Sequence, residues 1–392
     1  MLAWVTTETK GGLYGADTMA DPSERDLAET VDETPEVPDD SDPVAAPERT
    51  VELTGKVVTI TGGTGSFGST MARHLLANGV AQVNVLSRDE AKQDAMRRQL
   101  NDDRMRYFLG DVRDAQSLDA PMEGAAYVFH AAALKQVPSC EFFPQQAVLT
   151  NVTGSHNVIE AAARAGVASV VMLSTDKAVY PVNAMGMSKA LMEKTAQAYA
   201  RNHPASTMTV SITRYGNVMY SRGSVIPHFV QQLRDGAPLT VTEPTMTRFL
   251  MSLDDSVDLV LHAFSNALPG DLFVKKAPAT TVETLARAVA SLLGEDDPRL
   301  EVIGARHGEK MHESLLSVEE MVQAEDQGDY YRVPLDARGL QYEVYFDEGE
   351  RRIPKDRDYT SASTTQLDLE QTKALLMTVP EMRAAVEGGP VR

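Results

Sequence analysis

Residues 56–78 read KVVTITGGTGSFGSTMARHLLAN, an apolar run followed by a glycine-rich turn and an amphipathic segment. The β-branched run 56–61 predicts a buried strand, and residues 66–78 predict the helix after it. Glycines at G-x-x-G-x-x-G spacing allow a tight turn and let backbone amides approach a pyrophosphate at the helix N-terminus. In this strand–turn–helix context the pattern predicts a dinucleotide site. The residues expected to contact the cofactor here are Gly62, Gly65, Ser66, Phe67 and Gly68.

Outward from this unit, predicted strands and helices alternate with short connections. Further strands are predicted at residues 82–86, 105–109, 126–130, 167–174 and 208–214, and helices at 89–100, 114–122, 144–165 and 184–201. This alternation is typical of an α/β, doubly wound parallel sheet of the Rossmann type. We expect the strand at 208–214 to close the series. Beyond it the pattern is irregular, with helices predicted at 225–233, 254–267, 282–293 and 367–376.

Composition divides the chain further. Residues 1–50 hold 13 acidic against 3 basic residues, and this segment accounts for much of the net charge of −19. We therefore expect residues 1–52 to form an acidic disordered tail. Residues 53–214 are predicted to be the dinucleotide-binding Rossmann domain and 215–345 mainly a smaller substrate-binding part. Residues 346–392 are predicted to form a C-terminal segment with a short helix.

The overall balance of residue types restricts the partners of the protein. An acidic chain gives no electrostatic reason to expect nucleic acid or an anionic membrane as a partner. Cys140 is the single cysteine, which excludes an intramolecular disulfide and a thiolate metal cluster. No apolar run approaches the ~18 residues of a membrane span, and the N-terminus lacks the pattern of a signal peptide. We expect a cytoplasmic location and no metal site.

The end of the second predicted strand discriminates between NAD and NADP. Ser87 stands where NAD enzymes carry an acid, with Arg88 beside it and Lys92 one helical turn on. These residues favour NADP, whereas the neighbouring Asp89 leaves NAD as the alternative. Further cofactor contacts are expected after the third and fourth strands, from Asp111, Val112, Ala131 and Ala132. Lys135 is expected to point toward the substrate.

A second polar stretch, STDKAVYPVNAMGMSK, occupies residues 174–189. It follows the buried strand 167–174, so its first side chains should lie at the carboxyl edge of the sheet, where ligands bind. Asn183 is a plausible N-cap for the next helix, which places Met185 and Lys189 one turn apart. The hydroxyl, carboxylate and ammonium groups expected to meet there belong to Thr175, Asp176, Lys177 and Lys189, a set suited to proton transfer.

With these motifs on the page, the chain resembles the extended short-chain dehydrogenase/reductases. More narrowly, it resembles the soluble 4,6-dehydratases that act on UDP-N-acetylglucosamine with inversion at C5, in the capsule and O-antigen branch. The motifs that carry the resemblance are TGGTGSFG (61–68), SRDE (87–90), AALKQVP (132–138), STDKAVYP (174–181), MGMSK (185–189), RYGNV (214–218), SRGSVIP (221–227), MTRF (246–249), RHGEKMHE (306–313) and YTS (359–361).

The resemblance implies a redox-neutral reaction. Hydride passes from C4 of the sugar to NADP, a base removes the C5 proton, the C6 hydroxyl leaves as water, and the hydride returns to C6. In such dehydratases an Asp–Lys pair supplies the acid and the base, roles that fall here on Asp176 and Lys177. For this we expect desolvation to lower the pKa of Lys177 and an apolar site to keep Asp176 protonated. Lys189 is expected to bond the nicotinamide ribose.

Met185 departs from the wider superfamily, where a tyrosine at this position takes the proton from the sugar hydroxyl. A thioether cannot act as a general base, although some dehydratases of the capsule branch share this methionine. Thr175, relaying to Lys189 or water, is the predicted acceptor of the O4 proton, and Tyr180 is the second candidate. The residues predicted to bind the UDP part of the substrate are Asn217, Arg222, Arg248, Arg306 and Glu309.

Two other functions stay open at the level of sequence. A UDP-sugar epimerase, or a dehydratase that also epimerises its product, would use the same cofactor and pocket. A catalytically silent NADP-binding sensor is the alternative from outside the enzymes, motivated by the missing tyrosine. The resemblance also implies a homo-oligomer, with a hexamer among its forms.

Overall fold

The computed structural model describes residues 51–221, 223–336 and 357–389. Almost all of the predicted acidic tail lies outside the described residues, as do Arg222 and residues 346–356 of the predicted C-terminal segment.

Sixteen strands, numbered β1 to β16 in chain order, lie in these ranges. They are Val57–Thr61, Gln82–Ser87, Met105–Leu109, Tyr127–His130, Ser169–Leu173, Thr209–Arg214, Asn217–Val218, Leu239–Val241, Thr247–Met251, Leu272–Lys275, Ala279–Thr281, Leu300–Val302, Ser314–Leu316, Glu325–Gln327, Tyr330–Val333 and Tyr359–Thr360.

The α-helices of the described ranges are numbered α1 to α13. They are Ser66–Ala77, Glu90–Leu100, Asp119–Met122, Val137–Phe142, Pro144–Ala147, Gly154–Arg164, Ala184–Asn202, Val225–Arg234, Leu253–Asn266, Val282–Leu292, Val318–Gln323, Leu369–Leu376 and Pro380–Val386. Two 3₁₀ turns, Ala115–Leu118 and Asp176–Ala178, and one π-helical segment, Val148–Thr153, complete the set.

The central sheet has the order β14-β15-β10-β6-β5-β4-β1-β2-β3. All pairs from β3 to β10 are parallel, whereas the two pairs at the far edge, β10–β15 and β15–β14, are antiparallel. The predicted α/β, doubly wound Rossmann fold is confirmed. The strand order reverses between β1 and β4, because β2 and β3 continue on one side of β1 and β4, β5 and β6 on the other. Sheets of this kind bind dinucleotides at that position.

The apolar residues of β5 show why both faces of the sheet are covered. Val170 and Met172 contribute to a core with α6 and α7, whereas Val171 and Leu173 contribute to a core with α1 and α9. Successive side chains of a strand point to opposite faces, so a continuous apolar run is what a doubly covered strand requires. A third apolar cluster, formed mainly by α8, α10, α12 and α13, lies in the later part of the chain.

The prediction that the strand at 208–214 closes the series is wrong. β10 pairs in parallel with β6, and β15 and β14 extend the sheet beyond it. The predicted helix 144–165 is interrupted by the π-helical segment, and the helix Val137–Phe142 was not predicted. The remaining predicted helices and strands of the described ranges are confirmed within a few residues at each end. None of the described helices combines the length and apolar character needed to cross a membrane.

Candidate active site

A cavity of about 1360 Å³ opens at the carboxyl ends of the parallel strands. It is lined by nearly all residues predicted to bind the cofactor or to act in catalysis. These are Gly62, Gly65, Ser66, Phe67, Gly68, Ser87, Arg88, Lys92, Asp111, Val112, Ala131, Ala132, Thr175, Asp176, Lys177, Met185 and Lys189. Lys135 and Asn217, predicted on the substrate side, also line it.

The glycine-rich turn meets the requirements of a pyrophosphate site. Gly65 is the N-cap of α1 and provides no side-chain hydrogen bond to the first turn of the helix. Because the first amides of a helix lack intrahelical partners, they remain suited to an anion. Gly68 permits the close approach of helix and turn, since a Cβ there would lie 2.4 Å from Cα of Gly63. The residues present therefore fit a dinucleotide.

The far end of the cavity carries the residues that discriminate between the two nicotinamide cofactors. Arg88 is about half exposed and lies 3.7 Å from the carboxylate of Asp111. Asp89 caps α2 by accepting a hydrogen bond from the backbone amide of Lys92, and it pairs with the Lys92 ammonium at 2.8 Å. The side-chain hydrogen bond from Lys92 lowers the pKa of Asp89. Asp89, the acidic residue that left NAD as the alternative cofactor, is thus engaged by Lys92 of the helix that it caps.

Asp111, predicted to meet the adenine amino group, is held by Arg113. The Arg113 guanidinium donates to Oδ2 of Asp111 at 2.6 Å and 2.9 Å. Burial acts to raise the pKa of Asp111, but the hydrogen bonds from Arg113 outweigh it and the pKa is lowered.

Thr150 is a cavity residue that the sequence analysis missed. It lies in the π-helical segment and is 3% exposed, and its hydroxyl has no hydrogen-bond partner within residues 51–221, 223–336 and 357–389. A buried polar group without a partner calls for an explanation, and π-helical segments occur frequently at functional sites. Its neighbour Asn151 bonds both backbone groups of Leu134 and the hydroxyl of Ser188. Asn151 thereby ties the segment after β4 to α7. The feature that distinguishes Thr150 is the π-helical interruption of the helix, and the periodicity of the sequence does not reveal such an interruption.

The catalytic candidates lie on the short 3₁₀ turn that follows β5. The Thr175 hydroxyl donates to Oδ1 of Asp176 at 2.8 Å, and the backbone amide of Asp176 donates to the carbonyl of Tyr215 at 3.1 Å. The side chain of Asp176 is almost completely buried, and its Oδ2 has no hydrogen-bond partner in the part of the chain that the structure describes. Thr175 therefore contacts Asp176, whereas the predicted relay ran from Thr175 to Lys189 or water.

Lys177 lies between two carboxylates. Its Nζ is 3.1 Å from Oδ1 of Asp176 and 3.3 Å from Oε1 of Glu313. The expectation that desolvation lowers its pKa is wrong for this arrangement. Burial does act in that direction, but the charges of Asp176 and Glu313 outweigh it, so the pKa of Lys177 is raised. In this state Lys177 carries a proton that it must lose before it can act as a base.

The segment 306–313, which carries Glu313, folds across the turn after β5. Lys310 donates to the carbonyl of Val179, and Asn183 donates to the carbonyl of Gly308 at 2.9 Å. Burial lowers the pKa of Lys310. The sequence analysis quoted this segment for its resemblance but did not assign Glu313 or Lys310 to the site. Their charges lie far along the chain from Lys177, and no local pattern indicates the contact.

Lys189 is fixed by the start of α7. Asn183 caps this helix, as predicted, by accepting from the amide of Gly186 at 2.8 Å. A Cβ at Gly186 would lie 2.2 Å from the carbonyl oxygen of Lys177, so the glycine lets the helix approach the catalytic turn. Lys189 donates from Nζ to the carbonyl of Leu173 at 2.7 Å. Burial lowers the pKa of Lys189 to about 8, so it titrates near neutrality.

Met185, Tyr180 and Tyr215 differ in their position relative to the main cavity. Met185 is buried against Cys140 and Ala147 while also lining the cavity. Tyr180 accepts a hydrogen bond from the amide of Val318 and lines a separate cavity of about 410 Å³. It is therefore not placed to receive the O4 proton. Tyr215, which sequence reasoning did not single out, lines the main cavity, and burial raises its pKa.

The residues predicted for UDP are only partly brought together. Asn217 lines the cavity, whereas Arg248 and Glu309 form an ion pair with each other at 2.9 Å and are not among its lining residues. Arg306 is exposed, and its backbone amide donates to Glu309 at 3.3 Å. Arg222 lies outside the described residues. That these four residues bind the UDP part of the substrate stays a prediction.

Comparisons with known proteins agree with this geometry. Residues 58–335 match the family model described as polysaccharide biosynthesis protein, and residues 336–383 match the one described as polysaccharide biosynthesis protein C-terminal. A relative from Rickettsia rickettsii, named UDP-glucose 4-epimerase, is 53% identical over 328 residues, which cover 83% of this chain and 96% of the relative.

Two solved structures extend the comparison. Pen from Bacillus thuringiensis is 32% identical with a TM-score of 0.76, covering 84% of this chain and 100% of that chain. DesIV from Streptomyces venezuelae, a dTDP-glucose 4,6-dehydratase solved with NAD bound, is 27% identical with a TM-score of 0.59. That match covers 65% of this chain and 86% of DesIV. Nucleotide-sugar dehydratases and epimerases are thus both among the proteins that this chain resembles.

Proposed function

Since the chain belongs to the family of polysaccharide biosynthesis proteins, we propose that it is an NADP-dependent UDP-N-acetylglucosamine 4,6-dehydratase that inverts C5. The observation that carries the proposal is the ion pair between the buried Asp176 and the partly buried Lys177 at the carboxyl edge of the sheet. A 4,6-elimination needs an acid for the departing C6 hydroxyl and a base for the C5 proton, whereas a 4-epimerase needs neither. The nature of the sugar rests on the motif resemblance. We further propose that residues 53–214 mainly bind the cofactor and 215–345 mainly the sugar nucleotide.

The hydrogen bonds of the catalytic turn suggest how the acid form arises. The O4 proton of the sugar passes to the oxygen of Thr175, and the Thr175 hydroxyl proton passes to Oδ1 of Asp176, 2.8 Å away. Asp176 is then a neutral carboxylic acid that can donate to the C6 oxygen as it leaves. Met185 takes no part in this step because a thioether does not accept such a proton.

Protonation of Asp176 also prepares Lys177. The charge of Asp176 is the first of the two carboxylate charges that raise the pKa of Lys177, and it disappears when Asp176 is protonated. Lys177, about a quarter exposed, then loses its proton to water more readily, and its amine removes the proton at C5. Inversion requires that C5 is reprotonated on its opposite face.

Residues at three points of the cavity would hold NADP. The turn at Gly62–Gly68 would hold the pyrophosphate, Arg88 the 2′-phosphate and Lys189 the nicotinamide ribose. The chemistry that bound NADP would supply is hydride transfer, from C4 of the sugar to the nicotinamide and back to C6. Engagement of Asp89 by Lys92 supports NADP over NAD.

Incubation of the purified protein with UDP-N-acetylglucosamine in deuterated water tests the function. Proton NMR should show a new C6 methyl signal and deuterium at C5, with no net change in the redox state of NADP. Appearance of the C4 epimer with intact C6 would instead establish the epimerase, which the names of relatives such as the one from Rickettsia rickettsii favour. Tight NADP binding with no change in any nucleotide sugar tried would favour the sensor.

The choice of cofactor yields a prediction at Arg88. Replacing Arg88 by alanine should weaken NADP binding about 10-fold, because a charge-assisted contact to phosphate is worth about 1.5–3 kcal/mol. NAD binding should be nearly unaffected. Isothermal titration calorimetry with both dinucleotides measures the two constants.

A matched control lies on the same helix. Arg98 forms an exposed ion pair with Asp94 on the surface of α2, so Arg98→Ala should leave both affinities unchanged. Equal weakening of NADP and NAD by Arg88→Ala would contradict the assignment of Arg88 to the 2′-phosphate.

We also propose that the protein is a homo-oligomer. Large apolar side chains are exposed around α4 and the adjoining face of α7, namely Phe142 at 81%, Phe143, Val148, Leu149, Met187 and Leu191. Large exposed apolar surface marks association sites. Phe142→Glu should shift the protein to a smaller species in light scattering coupled to size-exclusion chromatography. A monomeric wild-type protein would refute this proposal.

A further inference from the structure

Glu313 lies at the junction between the catalytic turn and the C-terminal part of the chain. It is 2% exposed and directly precedes β13, which pairs with β16. Its amide donates to the hydroxyl of Ser361 at 2.9 Å, and its carbonyl accepts from the amide of Ser361 at 2.8 Å. The backbone of Glu313 is therefore held on both sides, and its side chain is directed to Lys177.

The two carboxylates that share Lys177 are unevenly satisfied. Oε1 of Glu313 is 3.3 Å from Nζ of Lys177, and Oδ1 of Asp176 is 3.1 Å from the same atom. The second oxygens, Oε2 of Glu313 and Oδ2 of Asp176, are buried and have no hydrogen-bond partner among the described residues. Two buried carboxylates around one ammonium leave an excess negative charge, and both charges favour the protonated form of Lys177.

We propose that Glu313 is a positioning residue of the reaction, which acts through Lys177 and sets the pH range in which the Asp176–Lys177 pair exchanges protons. This inference rests on the proposed function. Glu313 keeps a negative charge beside Lys177 when Asp176 becomes protonated, so the amine stays in place instead of moving toward solvent.

The other charged and titratable groups around the cluster are fixed by partners or burial. Arg248 faces Lys177 but is paired with Glu309. Lys310 faces Glu313 and Asp176 and donates to the carbonyl of Val179. Tyr215 faces Asp176, and its raised pKa keeps it neutral. Loss of the Glu313 charge should therefore act on Lys177 and Lys310, the two ammonium groups whose pKa values this charge raises.

The direction of the effect follows from the sign of that charge. A carboxylate raises the pKa of a neighbouring ammonium, so Glu313→Gln lowers the pKa of Lys177. The acid limb of the pH profile of kcat/KM, which reports loss of the Lys177 proton, should move to lower pH by about 1 unit, the lower end of the shift that a close charge produces. KM at the optimum should change little because Glu313 is not among the residues that line the cavity.

The experiment compares the wild-type protein with Glu313→Gln, Glu313→Asp and the control Glu301→Gln, a change at an exposed position of β12. The pH profile is measured with UDP-N-acetylglucosamine. Glu313→Asp, which keeps the charge, should restore most of the wild-type profile, and Glu301→Gln should leave it unchanged. A loss of kcat without movement of the acid limb would overturn the proposal and show that the role of Glu313 is structural.

A second readout does not depend on turnover. The acylation of Lys177 by a small reagent at pH 9 is followed by mass spectrometry, since only the free amine reacts. Glu313→Gln should raise this rate about 10-fold, because a decrease of one pKa unit raises the amine fraction about tenfold. An unchanged rate overturns the proposal. If the wild-type protein converts no nucleotide sugar but the rate still rises, the proposed function fails and the assignment of Glu313 stands. If Glu313→Gln does not fold, Glu313→Asp should show a smaller change in the same direction.

Discussion

Replacing Lys177 by methionine is expected to lower kcat for dehydration by about 10³-fold, within the range that loss of a general base produces. Methionine retains an unbranched side chain but provides no amine to remove the C5 proton. Binding of NADP should persist, because the pyrophosphate turn and the adenine end of the cavity involve other residues. Incorporation of deuterium at C5, measured by NMR in deuterated water, should disappear together with the C6 methyl product.

The same substitution also removes the counter-ion of two buried carboxylates. Loss of one partner from a buried ion pair is destabilising by about 3–5 kcal/mol, so reduced activity alone does not identify a base. Lys177→Arg separates the two effects. A guanidinium can pair with Asp176 and Glu313 but does not deprotonate in proteins. It should therefore keep the melting temperature near that of the wild type and still lose about 10³-fold in kcat.

Two outcomes would contradict the role of Lys177. Near-normal kcat in Lys177→Arg would show that a positive charge suffices and that the base is another group. Equal losses in Lys177→Met and in the surface control Lys56→Met, where the side chain is exposed, would show that the assay reports general damage.

The difference between Asp176 and Glu313 shows which part of the site was predictable. Asp176 and Lys177 follow a buried β-branched strand, and the rule that ligands bind at the carboxyl ends of parallel strands places them correctly. Glu313 joins them from a charged loop that precedes a short strand, where its burial depends on pairing with β16. Periodicity is a local signal, whereas this contact depends on how the later part of the chain returns to the sheet.

The pKa of Lys177 illustrates a second limit of sequence reasoning. Burial was predictable from the position of the residue, and burial alone lowers the pKa of an ammonium. The direction reverses because two carboxylates lie within 3.3 Å of the nitrogen, which no pattern around residue 177 reveals. The edge strands β10, β15 and β14 escaped prediction for a related reason. They are 3 or 4 residues long, which is too short for an alternating pattern to be identified, and β14 reads EDQ and has no apolar residue.

Replacing Gly68 by alanine is expected to weaken NADP binding about 100-fold or more and to lower the melting temperature of the cofactor-free protein. The added Cβ would lie 2.4 Å from Cα of Gly63 and 2.6 Å from its carbonyl oxygen. These are backbone atoms of the turn itself, so relief requires that α1 moves away from the turn. Overpacking of this kind costs about 1–3 kcal/mol in stability, and it displaces the amides that would hold the pyrophosphate.

Gly65→Ala provides the matched comparison for stability. A Cβ at Gly65 would meet no atom nearer than 3.4 Å, and Gly65 has an ordinary extended backbone with φ −75°. Gly65→Ala should therefore keep the melting temperature of the cofactor-free protein. Wild-type affinity of Gly68→Ala for NADP, measured by calorimetry, would show that the turn does not bind the pyrophosphate.

Salt distinguishes the effect at Gly68 from the one at Arg88. Arg88 is half exposed, so its attraction for phosphate is screened, and the penalty of Arg88→Ala should shrink as ionic strength rises. The penalty at Gly68 arises from atomic overlap and should be independent of salt. If the losses of NADP affinity in Gly68→Ala and Arg88→Ala both became smaller as the salt concentration rises, the turn would act only through charge. The packing of α1 against Gly63 would then not be what shapes the cofactor site.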